Sequence, residues 1–201
     1  MDIVFATGNQ GKLDEIREIM NDFLVRHNIR LRSLKEVGID ADIEEDGETF
    51  EENALIKARE IAKLTDCIVL ADDSGLEVDY LDKAPGIYSA RYLGVDTSYT
   101  VKNNHIIDLL KDVEGEERSA RFVCVIACVT PDSKEIIVRG TVEGRIAHEI
   151  MGEHGFGYDP IFYLPERGCT TAELDPAEKN KISHRGRALM GMMEKLEELL
   201  A

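Results

Sequence analysis

Cys67-Ile68-Val69-Leu70-Ala71-Asp72-Asp73-Ser74-Gly75 is a short apolar run that stops at two adjacent carboxylates, a hydroxyl and a glycine. An apolar run bounded by turn residues reads as a strand covered on both faces. In open α/β sheets, ligands gather outside the carboxyl ends of such strands. Successive side chains of a strand point to opposite faces, so Asp72 and Asp73 reach one pocket only if the backbone turns between them. One of the two is expected to be chemical and the other structural. A strand-terminal pair capping the turn at Gly75 fits the same residues, as does a metal site.

Working outward, Asp2 to Ala6 is a second short apolar strand and Thr7-Gly8-Asn9 a tight turn. Leu13, Ile16, Ile19, Met20 and Phe23 then recur at helical spacing. A second helix is expected from about Thr49 to Thr65, with Phe50, Ala54, Ala58, Ile61 and Ala62 on one face. Glu48, Glu51 and Glu52 at its start carry the sign a helix amino terminus prefers. Beyond the Asp pair, a loop with Ala84-Pro85-Gly86 leads to a third helix over about Tyr99 to Leu110. The texture then turns to β-structure over Ala120–Thr130 and Glu135–Ile146, the latter broken by Gly140 and Gly144. Pro131-Asp132-Ser133 reads as a hairpin turn, which makes that pair antiparallel. Ile161 to Leu164 is a further short strand. A last helix from about Lys181 to Leu200 turns Ala188, Leu189, Met192, Met193, Leu196 and Leu199 to the core. The pattern is α/β: one domain over residues 1–201, a mixed β-sheet flanked by helices, with a β-rich second lobe making a cleft.

Composition narrows the partners. The chain has 201 residues, 43% hydrophobic and 32% charged, enough for a full core. No apolar run approaches membrane-spanning length, and Met1-Asp2-Ile3-Val4-Phe5 lacks the basic flank of an export signal, so a cytoplasmic protein is expected. The four cysteines form no Cys-x-x-Cys pair and are read as reduced thiols. A net charge of -16 opposes binding to nucleic acid or an anionic membrane. A small anionic ligand would need local lysines and arginines, or a metal ion.

Four segments besides the Asp pair have the makings of chemistry. Thr7-Gly8-Asn9-Gln10-Gly11-Lys12 lies where a strand enters a helix, where free N–H groups and the positive helix end can hold phosphate, with Lys12 one turn in. It lacks the glycines and the Gly-Lys-Ser/Thr ending of a Walker A loop, and a helix capped by Asn9 fits it equally. Ile43-Glu44-Glu45-Asp46-Gly47-Glu48 packs acids ahead of the second helix. It reads either as a solvated helix start or as a source of Glu44 or Glu45 to join Asp73 on magnesium, with Lys57 facing the same phosphates. Gly155-Phe156-Gly157-Tyr158-Asp159-Pro160 sets aromatics between glycines, which lets the backbone expose Phe156 as a platform for a flat base. Lys179-Asn180-Lys181-Ile182-Ser183-His184-Arg185-Gly186-Arg187 is the one dense basic cluster and is read as opening the last helix, the unfavourable end for cations, so Lys179 and Arg185 suggest a ligand.

With Ala84-Pro85-Gly86-Ile87-Tyr88-Ser89-Ala90-Arg91 added, these segments, in order and over nearly the full length, closely resemble the noncanonical purine nucleoside triphosphate pyrophosphatases, the inosine/xanthosine triphosphatase family. The resemblance implies an elongated α/β fold around a central substrate cleft, a homodimer, and magnesium-dependent hydrolysis of ITP, dITP and XTP to the monophosphate and pyrophosphate. It further implies that Thr7, Gly8, Asn9, Gln10, Gly11, Lys12 and Lys57 hold the triphosphate and that Ser74 touches substrate. Asp73 is then the general base and, with Glu44, a magnesium ligand, neighbouring Glu45 being an alternative. Phe156, Gly157, Tyr158 and Asp159 line the base and sugar pocket, and Lys179, His184 and Arg185 complete recognition of the base. Where bacterial relatives often approach the Phe156 loop through more glycines, this chain has Gly152-Glu153-His154.

Overall fold

The computed structural model describes residues 1–200. Among the described residues seven strands form: β1 (Asp2–Phe5), β2 (Arg30–Ser33), β3 (Ile68–Val78), β4 (Ser119–Val129), β5 (Glu135–Ile146), β6 (Phe162–Leu164) and β7 (Cys169–Thr170). The α-helices among the described residues are α1 (Gln10–Arg26), α2 (Phe50–Ala62), α3 (Tyr99–Leu109), α4 (Pro176–Ile182) and α5 (His184–Leu200). The strands make one mixed sheet in the order β2-β1-β3-β4-β5-β6-β7. β1 runs parallel to both β2 and β3, whereas β6 is antiparallel to β5 and to β7. β4 and β5 are sheet neighbours joined at a tight turn in which the Thr130 N–H donates to Lys134 O at 3.0 Å, as expected of a hairpin.

The described residues divide into two compact units, one of Met1–Asp73, Cys124–Gly140 and 185–200, the other of Ser74–Val123 and Thr141–His184. In the first, α1 turns Leu13, Ile16, Met20 and Phe23 inward onto a core shared with Leu70 and Leu189. Asn9 caps that helix, its Oδ1 accepting from the Lys12 N–H at 3.1 Å. Thr49 caps α2 in the same way, accepting from the Glu52 N–H. In the second unit, Leu76, Ile106, Leu110, Phe122, Ile161 and Phe162 share a core.

Three elements depart from the sequence pattern. β3 does not stop at Asp72 but runs on to Val78, because Leu76 and Val78 beyond Gly75 are themselves buried. β2 carries a single buried apolar residue, Leu31, between two arginines, which hides its alternation. The last helix is two helices: Ser183 is extended (φ -65°, ψ 158°), so the basic cluster is split between the end of α4 and the start of α5.

Candidate active site

The adjacent aspartates of β3 occupy opposite electrostatic settings within the first unit. Asp72 is buried, and Lys12 Nζ sits 2.9 Å from its Oδ2 with Arg185 Nη2 at 4.0 Å. Burial favours the neutral acid, yet the charges of Lys12, Arg185 and Lys57 outweigh it and hold Asp72 well below the usual carboxylate range. Asp72 is therefore a fixed anion. Asp73 goes the other way: burial, reinforced by the charges of Glu45 and Asp72 and only partly opposed by Lys57, pushes its carboxyl up to about 6. A single peptide bond separates a locked counter-ion from a carboxyl poised to exchange a proton near neutral pH.

Lys57 is the hinge of the second setting. Its Nζ lies 2.9 Å from Glu45 Oε2 and 3.8 Å from Asp73 Oδ1. Burial disfavours the ammonium, but Asp73, Asp72 and Glu45 together raise its affinity for the proton above the ordinary value, so it stays charged. Glu45 and Asp73 thus flank one cation. Both offer hard oxygens, and magnesium is commonly held by one or two carboxylates plus substrate phosphates, so this donor pair fits it. Among the described residues no group of three or more His, Cys, Asp or Glu forms a ready-made cage.

Of the two glutamates named for that role, Glu45 is the one whose carboxylate meets Lys57, at 2.9 Å. Glu44 is exposed and lines a surface hollow of about 490 Å³ with Asp42, Ile43, Ile56 and Lys63.

The turn before α1 is open. Gly8, Asn9 and Gln10 are exposed, and with Thr7 they edge a hollow of about 520 Å³ completed by residues 33–35 and 38–41. The Asn9 side chain is spent on the cap, and Gln10 donates to Asp14 at 2.7 Å. What remains for an anion is the main chain and the positive helix end.

Arg185 does not project into solvent. It is 2% exposed and paired with Glu15 Oε2. Burial disfavours the guanidinium, but Glu15 and Asp72 hold it charged. Glu15 escaped the sequence reading, although its place one turn after Lys12 puts both on one helix face.

In the second unit the Phe156 loop is tied at each residue from Phe156 to Asp159. The Asp159 carboxylate is buried and accepts from the Phe156 N–H (2.8 Å), Thr171 Oγ1 (2.9 Å) and Lys179 Nζ (2.8 Å). Gly155 makes this possible, since at φ +75° a Cβ would lie 2.2 Å from Asp159 Oδ2. Gly157 (φ +67°) accepts from Asn103, and Tyr158 is buried with its hydroxyl donating to Ser89 O at 2.7 Å. Phe156 keeps 41% of its surface exposed, with Lys179 Nζ 5.0 Å from its ring centre. His184 is buried and stacks on Phe122, ring centres 4.8 Å apart. Ser74 is half-buried on β3. Asp159 and Tyr158, read from sequence as pocket lining, are engaged in holding the loop.

Residues 3–195 match the model of the Ham1 family. The chain belongs to the Ham1 family. The Ham1 chain is 48% identical over 98% of both sequences to a dITP/XTP pyrophosphatase of Clostridium perfringens, and 45% identical to one of Vibrio cholerae over 98% of this chain and 96% of that one. Among solved structures it is similar to the Ham1 protein of Staphylococcus aureus (TM-score 0.87, 42% identity, 98% of this chain and 99% of that one). The HAM1 protein of Coxiella burnetii gives a TM-score of 0.88 at 44% identity with the same coverage. These Ham1 neighbours share the mixed α/β sheet. The sequence resemblance to the inosine/xanthosine triphosphatases and the family match agree.

Proposed function

We propose that this chain hydrolyses noncanonical purine nucleoside triphosphates, ITP, dITP and XTP, to the nucleoside monophosphate and pyrophosphate. Relatives that carry the name dITP/XTP pyrophosphatase at 44–48% identity over nearly the whole chain support the reaction class. The observation that carries the chemistry is the split between Asp72, a locked anion, and Asp73, a carboxyl titrating near 6.

Asp73 is the general base: once ionised it takes a proton from, or orients, the water that attacks the α-phosphorus in line. Lys12 and Lys57 counter the charge of the triphosphate, and Asp72 and Glu45 keep those two ammonium groups aimed. The N–H groups of Gly8, Gln10 and Gly11 serve the phosphate oxygens, that of Asn9 being given to Thr7 Oγ1. Asp73 and Glu45 would hold magnesium, which when bound neutralises phosphate charge and favours departure of pyrophosphate. Phe156 offers its open face to the base, with Lys179 alongside. Discrimination against ATP rests on donors matched to a 6-oxo group, since each buried donor left facing a 6-amino group costs about 1–3 kcal/mol. The cellular setting we infer is the cytoplasm, where the enzyme clears deaminated purines from the nucleotide pool as a homodimer. Among the described residues no helix is long and apolar enough to cross a membrane.

A nucleotide panel tests this reading. With magnesium present, ITP, dITP and XTP are expected to release pyrophosphate far faster than ATP or GTP, and chelation abolishes it. Release of orthophosphate first, or equal rates on ATP, would refute it. Because the ionised form of Asp73 is the active one, kcat/KM should fall about tenfold per pH unit below about 6 and level off above. Added magnesium should move that limb to lower pH, since the cation competes with the proton. A profile flat from pH 5 to 8 at low magnesium would remove Asp73 as base.

A further inference from the structure

Lys102 and Asn103, neighbours on α3, are 1% and 2% exposed, a placement that costs free energy unless each polar group is used. Lys102 Nζ donates to Ala90 O at 2.6 Å and lies 4.8 Å over the Tyr99 ring. Tyr99 meets Tyr158 edge-on at 5.2 Å, and Tyr158 donates to Ser89 O, one residue before the carbonyl that Lys102 holds. Asn103 Nδ2 donates to Gly157 O at 3.1 Å, while its own Oδ1 is buried without a hydrogen-bond partner.

That stranded oxygen is informative. A leucine would fill the same volume without leaving an acceptor unmet, so the amide is retained at a cost for its one donor contact. The contact falls on Gly157, whose glycine backbone at φ +67° is freer to move than that of its neighbours Phe156 and Tyr158, so a fixed donor on its carbonyl restrains the loop where it is soft. Asp159 fixes the loop from one side, through the Phe156 N–H. The α3 pair fixes it from the other, through Gly157 O directly and through Tyr99 and Tyr158.

We propose that Asn103 and Lys102 are positioning residues for base selection, setting the pitch of the Phe156 ring without touching substrate. This rests on the pyrophosphatase reading above, in which Phe156 meets the base. A ring tilted by even a fraction of an ångström stacks less well and shifts the base against its polar readers, whereas the phosphate chemistry is served by other residues.

The test uses the purified full chain with magnesium and measures kcat and KM for ITP, ATP and methyl triphosphate, a substrate with no base. Asn103→Asp replaces the donor with an oxygen of the same size. It is expected to raise KM for ITP about tenfold with little change in kcat, and to shrink the ITP-over-ATP preference by a similar factor. Turnover of methyl triphosphate is expected to stay unchanged, and Asn103→Gln, which keeps the donor, to recover most of the preference. Lys102→Met retains the aliphatic stem and is expected to act in the same direction; it decides the matter if Asn103→Asp does not fold. Parallel loss on ITP and methyl triphosphate, or a preference that survives both variants, overturns the positioning role. A wild-type chain without preference for ITP fails at an earlier arm of the same experiment and removes the pyrophosphatase reading, and with it this inference.

Discussion

Replacing Asp73 by Asn is expected to lower kcat on ITP by a factor of roughly 10²–10⁴, the range a lost general base produces, while the folded protein becomes more stable at neutral pH. The two effects share a cause. Burial with Glu45 and Asp72 nearby makes the native state hold the Asp73 proton up to about 6. The unfolded chain gives it up near the ordinary value of 3.8. A raised carboxyl pKa means that the native state binds more protons than the unfolded state between those values, so stability falls as pH rises through that window and stays reduced above it. The neutral amide escapes the penalty. Asp73→Asn should therefore gain on the order of 1–3 kcal/mol over wild type at pH 7–8, with the gain vanishing below pH 4. Lys57 has Glu45 at 2.9 Å as a second partner, so the variant is expected not to strand it. Urea unfolding across pH, paired with pyrophosphate release, checks both halves. A variant that is inactive and also destabilised at pH 8 would mean that Asp73 is a structural anion like its neighbour.

The largest stability loss is expected at Arg118, in the second unit and outside the chemistry. Its buried guanidinium donates to four main-chain carbonyls, those of Leu110, Val113, Ile146 and Ala147, at 2.5–3.0 Å. These belong to the turn that follows α3 and to the end of β5, two pieces of chain that no strand ladder joins. Arg118→Ala takes the guanidinium from all four acceptors, of which Leu110 O keeps the Val113 N–H at 3.0 Å, and empties the space of a large side chain, for a loss of more than about 4 kcal/mol. Arg118→Lys brings back a charge but not the planar fork and should recover less than half. The chain has no tryptophan, so tyrosine fluorescence, with Tyr158 and Tyr99 near this core, is the natural probe in urea. A loss under about 2 kcal/mol for the alanine variant would show that these carbonyls are easily served by water.

What the sequence made legible follows the reach of its signals. Helix starts are local devices, and Asn9 and Thr49 cap where spacing placed them. The apolar run Ile68–Leu70 was readable as a buried strand, but Gly75 looked like a stop; only the burial of Leu76 and Val78 carries the strand through it. At the site, alternation along β3 required Asp72 and Asp73 to differ, and their environments do. Which differs in which direction depended on Lys12, Lys57, Glu45 and Arg185, which arrive from other elements. The basic run from Lys179 to Arg187 misled in the opposite sense. Residues close in sequence part at Ser183, Lys179 turning to Asp159 and Arg185 to Glu15. Glu15, Asn103 and Thr171 were missed because each earns its role through a single distant partner.

Hydrolysis of ITP in ¹⁸O-labelled water, with the products resolved by mass, tests the central claim most directly. Attack at the α-phosphorus by a water that Asp73 activates predicts one ¹⁸O in the inosine monophosphate and none in the pyrophosphate. Label in pyrophosphate or in orthophosphate would place the attack elsewhere and contradict the account.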